Sequence, residues 1–258
     1  MNFPNYPEKQ HLETLLKAED LVAYRRKLGR TPAIDPLHGV LLCLERGMPE
    51  RMRWRIPVRR AGSMNAEVYA VKRSKNPVAI LTHFGGGSPM VVELAEELAA
   101  MGAKKMILMT WGGTLQADLH PGDIVICSQA IRDDGASQHY LPPGKHIQAD
   151  GALVGQLEAA IRSRGAGCTT GITWTTDAPY RETREEVRQY QAEGVKVVEM
   201  ESAGLFTIGQ VRGIPTASIV VVMDSLASLE WQAPPGLDEI FRSLELVYSA
   251  CIEVLAQG

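Results

Sequence analysis

The stretch VKVVEMESAGLFTIGQVRGIPTASIVVVMD, from Val195 to Asp224, has the pattern of a strand, an acidic turn, a helix and a second strand. Its first apolar run, Val195–Val198, is rich in β-branched residues, which favours a strand. Ser202–Arg212 carries apolar residues at helical spacing, and the following Gly213 is a typical helix stop. Ile214–Met223 is apolar and long enough for a strand buried on both faces. The stretch therefore predicts an α/β fold built on a buried sheet.

Both predicted strands end in carboxylates. Glu199 and Glu201, with Met200 between them, follow the first strand, and Asp224 follows the second. In open α/β sheets, ligands bind beyond the carboxyl ends of the strands. A single carboxylate at such a place is more often a helix cap or a solvated turn. Three of them around one strand–helix–strand unit predict a binding site.

The segment Glu199–Phe206, EMESAGLF, resembles the ribose-binding segment of the nucleoside phosphorylase and nucleosidase superfamily, and it is most similar to that of uridine phosphorylase-like members. Two further blocks, Pro121–Asp123 and Arg132–Ser137, support the resemblance, which covers residues 37–230. The resemblance implies one α/β domain, whose mixed central sheet is partly closed as a barrel and flanked by helices. Residues 1–36 are expected to form an N-terminal arm, and residues 37–258 the domain.

The resemblance also implies roles for the carboxylates. Glu201 is expected to hold the ribose hydroxyls and Asp224 to protonate the base, so these two are the candidate catalytic residues. A carboxyl acts as an acid at neutral pH only when its surroundings raise its pKa. The candidate ribose-binding residues are Glu199, Met200, Glu201, Thr110 and His11.

Length and composition bound the possible classes of protein. The chain has 258 residues, of which 45% are hydrophobic and 22% charged, and this suits one large globular domain. The net charge of −3 argues against nucleic acid and anionic membranes as partners. The sequence begins without an apolar signal core, and no apolar run reaches transmembrane length. We therefore expect a cytoplasmic protein.

The cysteines and histidines indicate no metal centre. Cys43, Cys127, Cys168 and Cys251 lack CxxC spacing and lie in or beside apolar runs, which predicts buried free thiols. The six histidines are far apart in the sequence, without the spacing of metal ligands. No metal and no cofactor is expected, and phosphate is the expected co-substrate.

Further elements follow from apolar periodicity and from Gly and Pro punctuation. The predicted strands are Gly39–Leu44, Asn65–Lys72, Val78–Thr82, Lys105–Trp111, Ile124–Ile131 and Gly171–Thr176. The predicted helices are Ala18–Lys27, Met90–Met101, Ala152–Arg164, Glu185–Gln191 and Leu237–Ala256. Residues 45–60 are interpreted as a basic loop and sheet edge, and Arg132–Ser137 as a polar loop.

Two regions are candidates for binding phosphate. The segment Glu45–Arg60 is rich in arginine, whose guanidinium matches phosphate geometry, although a solvated basic loop is an equal alternative. The resemblance implies Arg51, or alternatively Arg46, as a phosphate ligand, and Arg59 as the arginine that reaches a neighbouring subunit's phosphate. The glycine run that leads into the predicted helix at Met90 allows backbone N–H groups to approach an anion, and Gly87 is its candidate.

The predicted strand Lys105–Trp111, which precedes Gly112 and Gly113, departs from the sequence pattern of the family. Leu108 stands where phosphorolytic members have an arginine that contacts phosphate. Thr110 and Trp111 replace a glycine and a small hydroxyl residue, and Trp111 is interpreted either as a core residue or as a base-stacking one. Gly112 and Gly113 then allow close approach of ribose and base.

The loop from Asp177 to Arg184 is expected to contact the base. Uridine-selective members use a glutamine and an arginine here, but the position of the glutamine is held by Thr183. The candidate base-binding residues are Trp111, Gly112, Gly113, Tyr180, Arg181 and Arg184. The alternative is a helix-entry loop with ordinary surface charges.

These residues favour a nucleoside phosphorylase, a pentosyltransferase of nucleoside salvage. It would cleave the N-glycosidic bond of uridine or a purine nucleoside with phosphate, giving free base and ribose 1-phosphate. The alternatives are a nucleosidase that uses water, because of Leu108, and a non-catalytic nucleoside-binding protein, because Trp111 fills space. The resemblance further implies a homo-oligomer, a dimer or hexamer, with His11 and Arg59 donated across an interface.

Overall fold

The computed structural model describes Pro4, Tyr6 and residues 8–257, and within them ten strands form one mixed sheet. The strands are β1 Gly39–Cys43, β2 Val58–Ser63, β3 Glu67–Val71, β4 Val78–Thr82, β5 Lys105–Thr114, β6 Ile124–Asp133, β7 His146–Gln148, β8 Thr169–Thr176, β9 Val197–Glu199 and β10 Thr216–Ser225. The helices are α1 Ala18–Lys27, α2 Met48–Met52, α3 Ser88–Ala100, α4 Gly135–Gln138, α5 Gly151–Arg162, α6 Arg184–Ala192, α7 Ser202–Arg212 and α8 Asp238–Ala256. Short 3₁₀ turns cover Lys9–His11 and Pro179–Arg181.

Five of the strands close into a barrel. The ring runs β5, β10, β6, β8, β9 and back to β5. Outside the ring, β1 pairs with the first half of β5, and β4, β3 and β2 follow β1 in that order. β10 runs parallel to β5 and antiparallel to β6, and β9 runs antiparallel to β5 and parallel to β8. The predicted fold class, a mixed sheet partly closed as a barrel and flanked by helices, is therefore confirmed.

The glycine pair in β5 lets the barrel close. A Cβ atom on Gly112 would lie 2.2 Å from the carbonyl oxygen of Val198 in β9, and one on Gly113 would lie 2.9 Å from Oδ1 of Asp224 in β10. Only residues without a side chain allow β9 and β10 to approach β5 this closely. The register of β10 against β5 also shifts between Val222 and Asp224, and such a bulge redirects a side chain.

Two apolar layers cover the sheet. One contains α3 and α7 and the other contains α5 and α8, so successive residues of β5 such as Leu108 and Met109 point into different layers. Leu108 is fully buried in the layer that contains α3 and α7. A charged side chain at this position would need a partner in that layer, whereas leucine needs none.

The predicted bounds of α1, α7 and β4 are confirmed, whereas two predicted loops contain regular structure. Residues 45–60 include α2 and the start of β2, because the buried side chains of Met48 and Met52 anchor a helical turn to the core. In the other loop, α4 begins at Gly135, because the side chain of Asp134 accepts a hydrogen bond from the backbone N–H of Ser137, 2.8 Å away.

The N-terminal segment packs on the domain through α1. Arg25 forms an ion pair with Glu97 of α3, and Val22 and Ile34 are buried. Across the described residues, no helix combines the length and the apolarity that a membrane span requires. Cys43, Cys127 and Cys251 are buried free thiols as predicted, while Cys168 is partly exposed.

Candidate functional site

A cavity of about 1260 Å³ opens where the ends of β5, β9 and β10 meet the loops around them. The sequence-predicted residues that line it are Arg46, Thr110, Trp111, Gly112, Gly113, Tyr180, Arg184, Glu199, Met200, Glu201 and Asp224. Lining residues that sequence reasoning missed include Glu45, Phe84, Glu182, Leu226, Leu229, Glu230 and Trp231. The fold thus gathers most of the predicted site into one space.

Among the carboxylates that line the cavity, Glu201 is almost fully buried, at 2% exposure, and still has capacity for a ligand. Its Oε1 accepts the backbone N–H of Gly87 at 2.6 Å, while Oε2 has only long contacts to the Thr110 hydroxyl and the Met200 N–H, at 3.4 and 3.3 Å. Burial and then the negative charge of Glu199 raise the pKa of Glu201 to about 7. Oε2 is therefore available for shorter hydrogen bonds from a ligand hydroxyl.

Glu199 has no such capacity, although it is two residues away. Its Oε1 accepts the hydroxyls of Thr173 and Thr175 at 3.1 and 2.5 Å, and its Oε2 accepts the N–H groups of Glu201 and Ser202 at 2.7 Å each. Four donors satisfy this carboxylate from inside the protein. Glu199 therefore holds the start of α7 to β8, and its expected role as a ribose ligand stays a prediction.

The glycine loop before α3 serves Glu201 and does not present a free amide to an anion. Gly87, at φ 99°, turns its N–H toward the Glu201 carboxylate and does not line the cavity. Its neighbour Gly86 does line the cavity, and a Cβ there would lie 3.2 Å from Oε1 of Glu201. A carboxylate therefore occupies the Gly87 N–H in this structure, and the assignment of Gly87 to phosphate stays a prediction.

Ser88 is the first residue of α3, with Gly87 at the N-cap. The Ser88 hydroxyl donates to the carbonyl of Met200 at 3.2 Å. This bond ties the start of α3 to the loop that carries Glu201.

Asp224 lies at the other end of the glycine pair. Its Oδ2 accepts a hydrogen bond from the indole N–H of Trp231, in the loop that follows β10. That loop folds back because Ser225 and Gln232 exchange backbone hydrogen bonds of 3.1 and 2.9 Å. Trp231 is 66% exposed and lines the cavity. It therefore presents a large aromatic face to the cavity while its indole N–H fixes the Asp224 carboxylate.

Glu182, in the loop between β8 and α6, is an acidic lining residue that sequence reasoning did not single out. Burial, followed by the charges of Asp224 and Glu186, raises the pKa of Glu182 to about 7. Its carboxylate makes no hydrogen bond within the part of the chain that the structure describes. Glu182 lies in the Asp177–Arg184 loop that the sequence predicts to contact the base. Only its partial burial beside Asp224 distinguishes it from the surface charges of that loop.

Two of the predicted arginines line the cavity. Arg46 is exposed, and within the described ranges its side chain has no hydrogen-bond or ion-pair partner. Arg184 is occupied, because its Nε donates to the carbonyl of Leu229 at 3.1 Å and its guanidinium lies 3.8 Å from Glu230. Arg46 is therefore the lining arginine with capacity for an anion.

Arg51 lies outside the cavity. It pairs with Glu245 of α8 at 2.5 Å and lies over the ring of Phe241, so of the two alternative anion ligands only Arg46 lines the cavity, and the role of Arg51 stays a prediction. Arg59, on β2, donates to the carbonyl of Ala33 at 2.8 Å and also lies outside.

Arg181 and His11 are likewise exposed residues that do not line the cavity, and the base-binding role of Arg181 stays a prediction. Donation of His11 or Arg59 to a second copy stays a prediction.

Trp111 and Tyr180 supply aromatic surface. Trp111 lies within β5, is half-buried and lines the cavity. Tyr180 is 99% exposed on the 3₁₀ turn at the cavity mouth. Both aromatic side chains are therefore accessible to a planar ligand.

The charges of the lining are unbalanced. Within the described residues the lining has six carboxylates and two arginines. The carboxylates are Glu45, Glu182, Glu199, Glu201, Asp224 and Glu230, and the arginines are Arg46 and Arg184. Acceptors thus outnumber cationic donors, which favours ligands that present hydroxyl or N–H groups.

Comparison with known proteins agrees with this geometry. The sequence profile of the Phosphorylase superfamily matches residues 47–242. The chain belongs to the Phosphorylase superfamily. The matched region contains every strand of the barrel and nearly all of the cavity lining.

Relatives within the superfamily are named as phosphorylases of nucleosides. The uridine phosphorylase of Escherichia coli strain K12 is 27% identical over 208 residues, which cover 73% of this chain and 82% of that protein. The guanosine phosphorylase of Halorubrum lacusprofundi is 26% identical over 156 residues, 60% of this chain and 65% of that protein. These relatives indicate an enzyme of the phosphorylase family.

A solved structure shows the same fold. The crystal structure of uridine phosphorylase from Vibrio fischeri matches with a TM-score of 0.74 at 21% identity, covering 86% of this chain and 92% of that chain. At this level of identity the likeness establishes the shared fold of the superfamily.

Proposed function

We propose that this protein cleaves the N-glycosidic bond of a nucleoside with phosphate, giving a free base and ribose 1-phosphate. The observation that carries the proposal is the Glu201 carboxylate, buried beside the cavity with one oxygen held by Gly87 and the other available. An acceptor of this kind suits the 2′ and 3′ hydroxyls of ribose. The named relatives make nucleosides the expected substrates, and uridine and purine nucleosides both remain in the proposal.

Cleavage of the glycosidic bond passes through a state with positive charge on the ribose ring. Glu201 must be ionised to accept both hydroxyls, and its negative charge then also stabilises the developing cation. The pKa of Glu201, raised to about 7, means that the ionised form dominates only above neutral pH. Nucleoside binding and turnover should therefore increase as the pH rises through 7.

Phosphate is proposed to approach the ribose beside Arg46. This arginine lies at the start of the loop after β1, and its guanidinium is not committed to any carboxylate of the described chain. A guanidinium binds phosphate through two parallel N–H donors. Arg59 or His11 from a second copy would add to the site in the proposed homo-oligomer.

Water is the second candidate nucleophile. Leu108 occupies the strand position of the phosphate-binding arginine and is fully buried, and six carboxylates line the cavity. Both features disfavour the binding of a phosphate dianion and are compatible with a nucleosidase, in which water attacks the ribose. The two reactions share the ribose site and differ only in the nucleophile.

The departing base needs a proton or a hydrogen-bond donor. Asp224 is proposed as the acid toward a purine N7, because it faces the cavity from the end of β10. Its bond from Trp231 occupies one oxygen and leaves the other toward Gly113.

The test is a panel of nucleosides assayed with and without phosphate, following both free base and ribose 1-phosphate. Arg46→Ala should raise the KM for phosphate about tenfold or more, since a hydrogen bond to a charged group contributes roughly 1.5–3 kcal/mol. Arg51→Ala is the matched control, because Arg51 pairs with Glu245 outside the cavity. Base release that is independent of phosphate would assign the nucleosidase reaction, and binding without turnover would contradict the enzyme.

A further inference from the structure

The part of the cavity between the β8–α6 loop and the end of β10 differs in character from the part around Glu201. Glu182 and Asp224 both line it, and each is close enough to the other for the charge of Asp224 to act on Glu182. The aromatic face of Trp231 and the side chains of Leu226 and Leu229 complete it. An apolar, aromatic space with two carboxylates suits a planar heterocycle with polar edges.

The two carboxylates are held differently. Asp224 is fixed by the indole N–H of Trp231 and by the close approach of Gly113, where a side chain would collide with Oδ1. Glu182 is partly buried, yet no group in the described part of the chain donates a hydrogen bond to it. A carboxylate that has lost water without gaining a protein donor is poised to accept from a ligand.

Cationic donors are scarce at this end of the cavity. Arg184 is the lining arginine nearest in sequence to Glu182, but its Nε is used by the Leu229 carbonyl and it also faces Glu230. The indole N–H of Trp231 is used by Asp224. Within the described lining, the base end therefore offers acceptors and very few free donors.

The nucleobases differ in what they present to such a surface. Uracil carries two carbonyl acceptors on either side of one ring N–H, and hypoxanthine carries one carbonyl beside one ring N–H. Cytosine and guanine each add an exocyclic amino group, which donates two N–H bonds. A carbonyl placed against a carboxylate is repelled and leaves both groups without a partner, which is the arrangement that gives strong discrimination.

We propose that Glu182 selects nucleosides whose base carries an exocyclic amino group. The proposal rests on the proposed function, since it assigns the base end of the same site. It makes Glu182 the residue that determines specificity, accepting an amino N–H, in place of the glutamine and arginine pair expected for uracil.

The experiment uses two pairs of nucleosides that differ mainly by the amino group. Guanosine differs from inosine by the 2-amino group, and cytidine differs from uridine where an amino group replaces a carbonyl. The assay is run at pH 8, above the pKa of about 7 of Glu182, so that the carboxylate is ionised. The full-length protein should show at least about tenfold higher kcat/KM for the amino member of the pair that it cleaves.

Glu182→Gln tests the residue directly. The amide keeps the size of the side chain but offers a donor to a carbonyl, so the preference for the amino member should fall about tenfold or reverse. Glu185→Gln is the control, because Glu185 is 81% exposed on the same helix-entry segment and does not line the cavity. A preference for uridine and inosine, or an unchanged ratio in Glu182→Gln, would overturn the proposal.

Failure of the proposed function has a different signature. If no nucleoside is cleaved, the same four nucleosides are compared by calorimetric binding to the wild type and to Glu182→Gln. Tighter binding of the amino member that is lost in the variant supports the assignment of Glu182 without turnover. Equal binding of both members, or no binding of any nucleoside, overturns it.

Discussion

Replacing Glu201 by glutamine should make the protein more stable at pH 8 while removing its activity. The carboxylate is 2% exposed and lies near the buried Glu199, so its ionised form is costly in the folded state. Glutamine has the same shape and can still accept the N–H of Gly87, while its amide N–H₂ can donate to the Thr110 hydroxyl. The change therefore removes a charge without leaving a cavity.

The size of the effect follows from the pKa of the group. A carboxyl whose pKa rises from 4.5 to about 7 on folding costs at most roughly 3 kcal/mol once ionised, because each pKa unit corresponds to about 1.36 kcal/mol. The raised pKa means that the folded state holds this proton more tightly than the unfolded state. The wild type is thus favoured at low pH, and this stability is lost as the pH rises from 4.5 through 7.

The assay is thermal unfolding of the wild type and Glu201→Gln at pH 5 and pH 8. The two proteins should unfold at similar temperatures at pH 5. At pH 8 the variant should unfold several degrees higher, since about 1 kcal/mol shifts the Tm of a chain of this size by roughly 2–4 °C. Glu185→Gln, at an 81% exposed position, should show no such divergence between the two pH values.

Activity must change in the opposite direction. Loss of charge-assisted bonds to ribose, each worth roughly 1.5–3 kcal/mol, should lower kcat/KM at least about tenfold for each hydroxyl contact. The reasoning fails if the difference in Tm is the same at both pH values. Unchanged nucleoside affinity in the variant would remove Glu201 from the site.

Three further outcomes are expected. Gly112→Ala should destabilise the fold by about 3 kcal/mol or more, because the new Cβ would lie 2.2 Å from the Val198 carbonyl oxygen; Gly155→Ala, on α5 with nothing within 4 Å, should be neutral or stabilising in the same urea titration. Asp224→Asn should lower kcat on a purine nucleoside far more than its binding, because only the transition state needs the proton, and equal losses would assign a positioning role. Light scattering at micromolar concentration should detect an oligomer, and a monomer would contradict the donation of Arg59 or His11 to a second copy.

The ribose end of the site is encoded locally, and for that reason it could be predicted from the sequence. The segment that carries Glu199 and Glu201 joins β9 directly to α7, whose bounds at Ser202–Arg212 were also predicted. Position along this short turn fixes where each side chain points. The barrel was predicted from the resemblance to the family. Its closure requires the glycine pair, because side chains at Gly112 and Gly113 would collide with β9 and β10.

The anion and base ends depend on packing between distant segments. Two arginines five positions apart, Arg46 and Arg51, were equivalent by sequence. The buried Met48 and Met52 fix α2 so that Arg51 turns to α8, while Arg46 stays in the cavity lining. The role of Trp231 could not be predicted from the sequence, because Trp231 reaches Asp224 only after the chain folds back beside Ser225.

Glu199 and Glu201 illustrate why burial alone does not identify a functional carboxylate. Both are almost fully buried, at 4% and 2% exposure, and burial raises the pKa of each. The difference lies in the donors: Glu199 is satisfied by two threonine hydroxyls and two backbone N–H groups, whereas one oxygen of Glu201 has only contacts of 3.3 and 3.4 Å. A buried carboxylate oxygen without a short hydrogen bond can accept one from a ligand where it also borders a cavity. Glu182 also lines the cavity without a hydrogen-bond donor from the described residues, so one physical argument supports both proposals, the sugar contact of Glu201 and the base contact of Glu182.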